Sequence, residues 1–226
     1  MLLACQWKIV LYSMVMNLLC PPGRREARKA DRRRAILEVA ERSFLDRGYA
    51  DTSMSTIAAE IGGSKTTLWS YFPSKEELFM AVLDNKIADF QSQLDEALIP
   101  SSGTAVALTR FGRLLLRKVL SPEAIALHRL IVAEAGRFPV IGEAFASRGP
   151  DRLRQRLCRY MEEEMAAGRL RQGNGLMASR QFIALCQAGC YLDRLWRDAS
   201  TLNPDPDGDV DGAVKTFMAA WGSDAA

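Results

Sequence analysis

The sequence predicts an all-α protein: an N-terminal three-helix unit carrying a helix-turn-helix, then a larger helical part. Three observations predict it. Apolar residues recur at steps of three and four along most of the chain, the period of one helix face. Alternating apolar and polar runs bounded by turn pairs, the mark of strands, are scarce. Gly, Pro and Ser breaks fall at helix-length intervals.

The first helix spans about 31–47, with Ile36, Leu37, Ala40 and Phe44 on one face, and Gly48 ends it. Thr52 or Ser53 caps a short helix to about Ile61, Gly62-Gly63-Ser64 turns the chain, and a second short helix runs to Phe72 before Pro73. Ser74 and Glu77 form a capping box that opens a long helix over 74–98, with Phe79, Leu83, Ile87, Phe90 and Leu94 in step. Further helices follow at about 104–120, 122–137, 139–147, 150–167, 176–198 and 210–221, the last after an acidic loop at 203–212. Three units result: an N-terminal extension and basic arm (1–30), the helix-turn-helix unit (31–75) and the larger part (76–226).

Composition narrows the function. The 226 residues are 48% hydrophobic, enough for a real core, and carry a net charge of +3. Charge is concentrated: residues 21–34 hold seven basic and two acidic side chains on a near-neutral body. That run reads as an end facing a polyanion, or as a solvated tail. Five cysteines without a CxxC fit a reducing cytoplasm rather than a disulfide framework. Cys186 and Cys190, four apart, are small buried residues or share a ligand or redox event. The first twenty residues are apolar but broken by Gln6, Lys8 and Asn17; they read as an extra helix or as a start placed upstream of Met14 or Met16. There is one histidine, and no P-loop, GxSxG, HExxH or metal-ligand cluster, so no enzyme, cofactor or metal is expected.

The segment 54–71 has helix-turn-helix spacing. Ile57 and Ile61 point inward, Ala58 is small at the helix crossing, and Gly62 suits a left-handed turn. Ser64 caps the second helix, and Leu68 and Phe72 face the core. At 100° per residue, Thr66 and Ser70 lie opposite Leu68, with Thr67 and Trp69 on the flanks. A short polar surface of this kind enters a major groove. A helical scaffold that binds no DNA is the competing reading.

The run Asp51–Phe79, with Thr-Ile-Ala-Ala-Glu-Ile-Gly and Tyr-Phe-Pro-Ser-Lys-Glu-Glu-Leu-Phe, resembles the DNA-binding segment of the TetR family of bacterial regulators. The stretch Leu120–Pro139 resembles the family's AefR-like C-terminal subgroup. The resemblance implies a homodimer on a palindromic operator, most often as a repressor, with an activator as the alternative. It places Thr66 and Thr67 near bases, Lys65 on bases or phosphate, and Thr52, Tyr71 and Lys75 on phosphates. Ser53, Ser64, Trp69 and Ser70 complete the DNA-facing set. Gly63 stands where an apolar residue is usual, and Trp69 where Tyr is usual.

The resemblance also implies a pocket in the ligand-binding and dimerisation part for a small, largely apolar effector. Phe90, Leu94, Phe111, Leu115, Ile131, Phe138 and Phe182 are candidates for its lining, and each is equally an ordinary core residue. His128 offers a polar contact, or is a helix histidine without one. The row Leu153, Leu157 and Met161, with Cys186, Gly189 and Trp196 on a helix apolar all round, is the expected dimer surface. Pressure of an effector on the 74–98 helix is the expected route to the DNA.

Overall fold

Helical periodicity becomes helix throughout a computed structural model that describes residues 23–62, 64–98, 103–202 and 204–223, without the side chains of 88–92, 94 and 95. The apolar N-terminal segment, Gly63 and the side chains of Phe90 and Leu94 therefore lie outside the described residues. The elements are α1 (Arg24–Asp51), α2 (Met54–Glu60), α3 (Lys65–Tyr71), α4 (Lys75–Ala97), α5 (Thr104–Val119), α6 (Pro122–Glu134), α7 (Pro139–Arg148), α8 (Pro150–Ala166), α9 (Gly175–Gln187), α10 (Cys190–Trp196) and α11 (Pro206–Trp221). No helix among the described residues is long and apolar enough to cross a membrane.

Three boundaries differ from expectation. The first helix begins at Arg24, so most of the basic run is helical rather than a tail. The helix expected over 176–198 breaks at Gly189, where the Asp209 carboxylate sits so close that a Cβ would stand 2.2 Å from it. Asp209 also accepts the Cys190 N–H at 2.7 Å and so caps α10. The last helix starts at Pro206, inside the expected acidic loop, because Asp205 accepts the Gly208 N–H at 2.9 Å and Pro206 takes the first helical position.

Two apolar clusters organise these helices. In one, α5, α8, α9 and α11 close around Phe111, Phe182 and Phe217, with Leu157, Met161 and Cys186 fully buried among them. Gly112 lets α5 and α11 meet, since a Cβ there would stand 2.8 Å from Val210. The other gathers Ile36, Phe44, Ile57, Leu68, Phe72 and Phe79 of α1–α4 and extends into α6 through Leu130 and Ile131. The helix-turn-helix thus shares its core with α6 and α7 as well as α4.

Among the described residues, one charged group is buried deep in the larger part. Glu164, 2% exposed, accepts bidentate bonds from Arg169 at 2.8 and 2.7 Å and a hydrogen bond from the Thr104 hydroxyl. The Arg169 hydrogen bonds hold its carboxyl below the usual range, against burial, which opposes ionisation. The depressed folded value places the stabilisation above the ordinary glutamate range and removes it as pH falls through that value. Glu164→Gln should therefore lose about 1 kcal/mol at neutral pH, a figure kept small because Arg169 is half exposed and screened. Urea midpoints should show the gap to the unmodified protein closing in acid. A gap that widens in acid would contradict the assignment.

Candidate nucleic-acid interface and cavity

The helix-turn-helix is built by local rules. Ser53 accepts the Thr56 N–H at 3.1 Å to cap α2, and Ser64 accepts the Thr67 N–H at 3.2 Å to cap α3. Gly62 takes φ 67°, the left-handed region a turn needs and an L side chain resists. Inside, Ile57, Ala58 and Leu68 are buried. Outside, Lys65, Thr66, Trp69 and Ser70 are exposed on α3, with Ser53 and Ser64 exposed before the two helices. Thr67 and Tyr71 are half-buried on its flanks. The Thr67 hydroxyl pairs with that of Ser64 at 2.9 Å, and the Ser70 hydroxyl donates to the Thr67 carbonyl at 2.8 Å. The exposed face therefore offers one ammonium, one threonine hydroxyl and an indole edge.

Two expected phosphate contacts are corrected. The Thr52 side chain is buried, its hydroxyl donating to the Ser43 and Gly48 carbonyls at 2.9 and 2.7 Å. It ties the start of α2 to the end of α1, where Gly48 takes φ 84°. The Lys75 ammonium donates to the Tyr49 carbonyl at 2.8 Å and lies 4.3 Å from the Tyr49 ring centre. Both side chains hold the joint between α1 and α2 instead of reaching outward.

Basic charge borders α3. Arg32 shares a small crevice with Ser64 and Thr67, and the Arg33 guanidinium lies 5.3 Å from the Phe72 ring centre. The exposed Arg24, Arg25, Arg28 and Lys29 continue along the same helix for two turns beyond.

A cavity of about 560 Å³ opens where α1, α4, α5, α6 and α8 converge. Phe44, Phe79, Val82, Leu115, Leu127 and Ile183 give it apolar walls. His128 and Tyr191 form a polar spot, the Tyr191 hydroxyl paired with His128 Nδ1. Burial lowers the affinity of His128 for a second proton, so the ring is neutral at neutral pH. The rim is cationic, carrying Lys118, Arg152, Arg156 and Arg159, while Lys86 is paired with Glu41 at 2.6 Å.

Of the expected pocket residues, Leu115 and His128 line this cavity. Phe111 and Phe182 pack on each other in the core, Ile131 belongs to the cluster beneath the helix-turn-helix, and Phe138 packs on Tyr49. The expected dimer residues are redistributed as well. Leu157, Met161 and Cys186 are fully buried in their own chain, and burial pushes the Cys186 thiol up to about 12. Leu153 lines the cavity, Gly189 is closed by Asp209, and Trp196 is 72% exposed.

The sequence pattern gave no hint of Glu134. From the last turn of α6 its carboxylate accepts the Ala50 N–H at 3.1 Å, in the joint that Thr52 and Lys75 secure. The same helix lines the cavity through Ser121, Ala124, Leu127 and His128.

Comparison with known proteins follows this geometry. The family model for bacterial regulatory proteins of the tetR family matches residues 36–82, and that for the C-terminal domain of AefR-like transcriptional repressors matches 106–223. The chain is similar to the HTH-type regulator YhgD of Bacillus subtilis, 37% identical over 71 residues, 31% of this chain and 37% of that one. It is similar to the HTH-type regulator EthR of Mycobacterium tuberculosis, 42% identical over 80 residues, 34% of this chain and 35% of that one. These matches thus span about a third of the length of those relatives. Among solved structures, the flavonoid-responsive regulator FrrA aligns with a TM-score of 0.76 at 30% identity, over 87% of this chain and 100% of that one.

Proposed function

We propose, from the premise that this chain belongs to the TetR family of bacterial transcription regulators, that it is a cytoplasmic, effector-responsive repressor acting as a homodimer on a palindromic operator. One observation carries the reading: α3 buries Leu68 and presents Lys65, Thr66, Trp69 and Ser70 outward. Thr66 meets base edges, Lys65 meets bases or phosphate, and Tyr71 and the capping serines meet the backbone. Residues 31–75 read the DNA, and residues 76–226 sense the effector and dimerise. Similarity to an AefR-like repressor domain favours repression, and the cavity together with the likeness to FrrA, flavonoid-responsive by name, favours an effector.

The second subunit covers the outward face of α9, where Met177, Gln181 and Ala184 are exposed at helical spacing, and Trp196 of α10. An indole that open to water is the kind of surface an interface removes. The test is selection of genomic fragments by the purified protein, followed by footprinting. Symmetric half-sites whose centres repeat at about one helical turn, 34–36 Å, or a multiple of it, are expected. Asymmetric single sites, or no specific binding at low salt, would refute the proposal.

The helical basic run makes a further expectation. Arg24→Ala with Arg25→Ala should flatten the log–log salt dependence of binding by about one to two units, one per phosphate lost, and leave the half-site preference unchanged. Binding titrations at several salt concentrations measure it. An unchanged slope would return these residues to solvent.

A further inference from the structure

The cavity walls are apolar, but its rim is not the rim of a site for a neutral molecule. Arg152, Arg156 and Arg159 stand at i, i+4 and i+7 on α8, which puts three guanidinium groups on one helix face. Arg152 and Arg159, at the two ends of that row, are exposed. Lys118 of α5 joins them on the rim. The acids that share the lining are Glu41, already paired with Lys86, and the exposed Glu123. Burial disfavours a charged His128, so recognition of charge falls to the α8 row. An anion beside that row gains charge-assisted, bidentate hydrogen bonds while its apolar body is covered by Phe44, Phe79, Leu115 and Ile183.

We propose that the effector is an amphipathic organic anion, its apolar body in the cavity and its acidic group held by Arg152 and Arg159 at the α8 rim. This rests on the reading of the cavity as the effector site and names the chemistry of that site. It also replaces the largely apolar effector expected from the sequence.

The test uses the full chain without DNA and two environment-sensitive fluorophores that differ in one group. They are 8-anilinonaphthalene-1-sulfonate and N-phenyl-1-naphthylamine, the same arylamine without the sulfonate. The sulfonate probe should bind one site per chain at least about tenfold more tightly than the neutral one. Added salt should narrow that margin. Arg152→Gln with Arg159→Gln should abolish the preference, weakening the sulfonate probe about tenfold and leaving the neutral probe unchanged. Ala124→Trp, which fills the cavity from α6, should weaken both, with Leu127→Trp as a second filling variant and far-UV dichroism to show that each remains helical. Equal affinity for the two probes, or equal weakening of both by the arginine variants, overturns the anionic class and leaves the effector site standing. Binding that is absent, or indifferent to both tryptophan variants in folded protein, overturns the effector site itself and the anionic class with it.

Discussion

Leu68→Ala is expected to destroy operator binding while leaving the larger part of the molecule folded. Leu68 is 2% exposed and is the fully covered side chain of a seven-residue helix. A helix that short does not persist alone, since isolated helices below about 12–15 residues are marginal in water. What keeps α3 in register is therefore the packing of Leu68 against α2 and the first helix, with Phe72 closing its C-terminal end. Removing the buried isobutyl group costs about 3 kcal/mol, since the surrounding structure relaxes only partly into the hole. That is about a hundredfold in affinity if the loss falls on the DNA-competent head. Anisotropy titration on an operator fragment, with urea unfolding followed by far-UV dichroism, measures both quantities. Thr66→Ala supplies the contrast. It removes an exposed hydroxyl, so stability should move by less than about 0.5 kcal/mol, while base preference at one position falls by about 1–2 kcal/mol. Operator binding by Leu68→Ala at full strength would mean that α3 is not the reading element.

The recognition helix was legible because its design is local. A period of 3.6 residues decides that Leu68 is inside when Thr66 and Ser70 are outside, and Ser64 caps the helix from one position before its start. Thr52 and Lys75 were misread because their partners are carbonyls brought near only by the fold of the α1–α2 joint. The left-handed Gly48 returns the Ser43 and Gly48 carbonyls to Thr52, and Tyr49 and Ala50 reach Lys75 across some 25 residues of sequence. Leu157 and Met161 leave the expected dimer row for a different reason. Periodicity shows that Leu157 and Met161 share a face, but not whether that face meets its own core or a second copy. The expected pocket is met only at Leu115 and His128 among its described candidates, for a third reason. Phe111 and Phe182 pack on each other and on Phe217 in the core, whereas the cavity is walled by Phe44 of α1 and Phe79 of α4 with Leu127 of α6 and Ile183 of α9, a meeting that only the fold brings about. The cationic face of α8 is visible in the spacing of its arginines, but nothing local says that the face borders a cavity.

The other large effect is expected at Glu134. An effector weakens operator binding only through contacts that differ between two arrangements of the head, and such coupling is commonly about 1–3 kcal/mol. The sequence offered α4 as the connecting element, and α4 does line the cavity through Phe79, Val82 and Lys86. The structure adds α6, which faces the cavity at Ala124, Leu127 and His128 and ends at the carboxylate that accepts the Ala50 N–H. Ala50 lies three residues before the Ser53 cap of α2, so a shift of α6 along its axis is delivered to the first turn of the helix-turn-helix. The joint is short on slack: Thr52 and Lys75 already hold the neighbouring carbonyls, and a Cβ on Gly48 would stand 3.1 Å from the same Glu134 oxygen. Glu134→Ala should therefore leave effector affinity nearly unchanged and cut the effector's influence on operator affinity by about 2 kcal/mol, roughly thirtyfold. Glu134→Gln keeps an oxygen that accepts the Ala50 N–H and should retain most of the response, which separates the hydrogen bond from the charge. Operator titrations with and without saturating effector, on the three proteins, measure the coupling directly. A full response in Glu134→Ala would assign transmission to α4 alone, through Phe79 and the Lys86–Glu41 pair that joins it to α1.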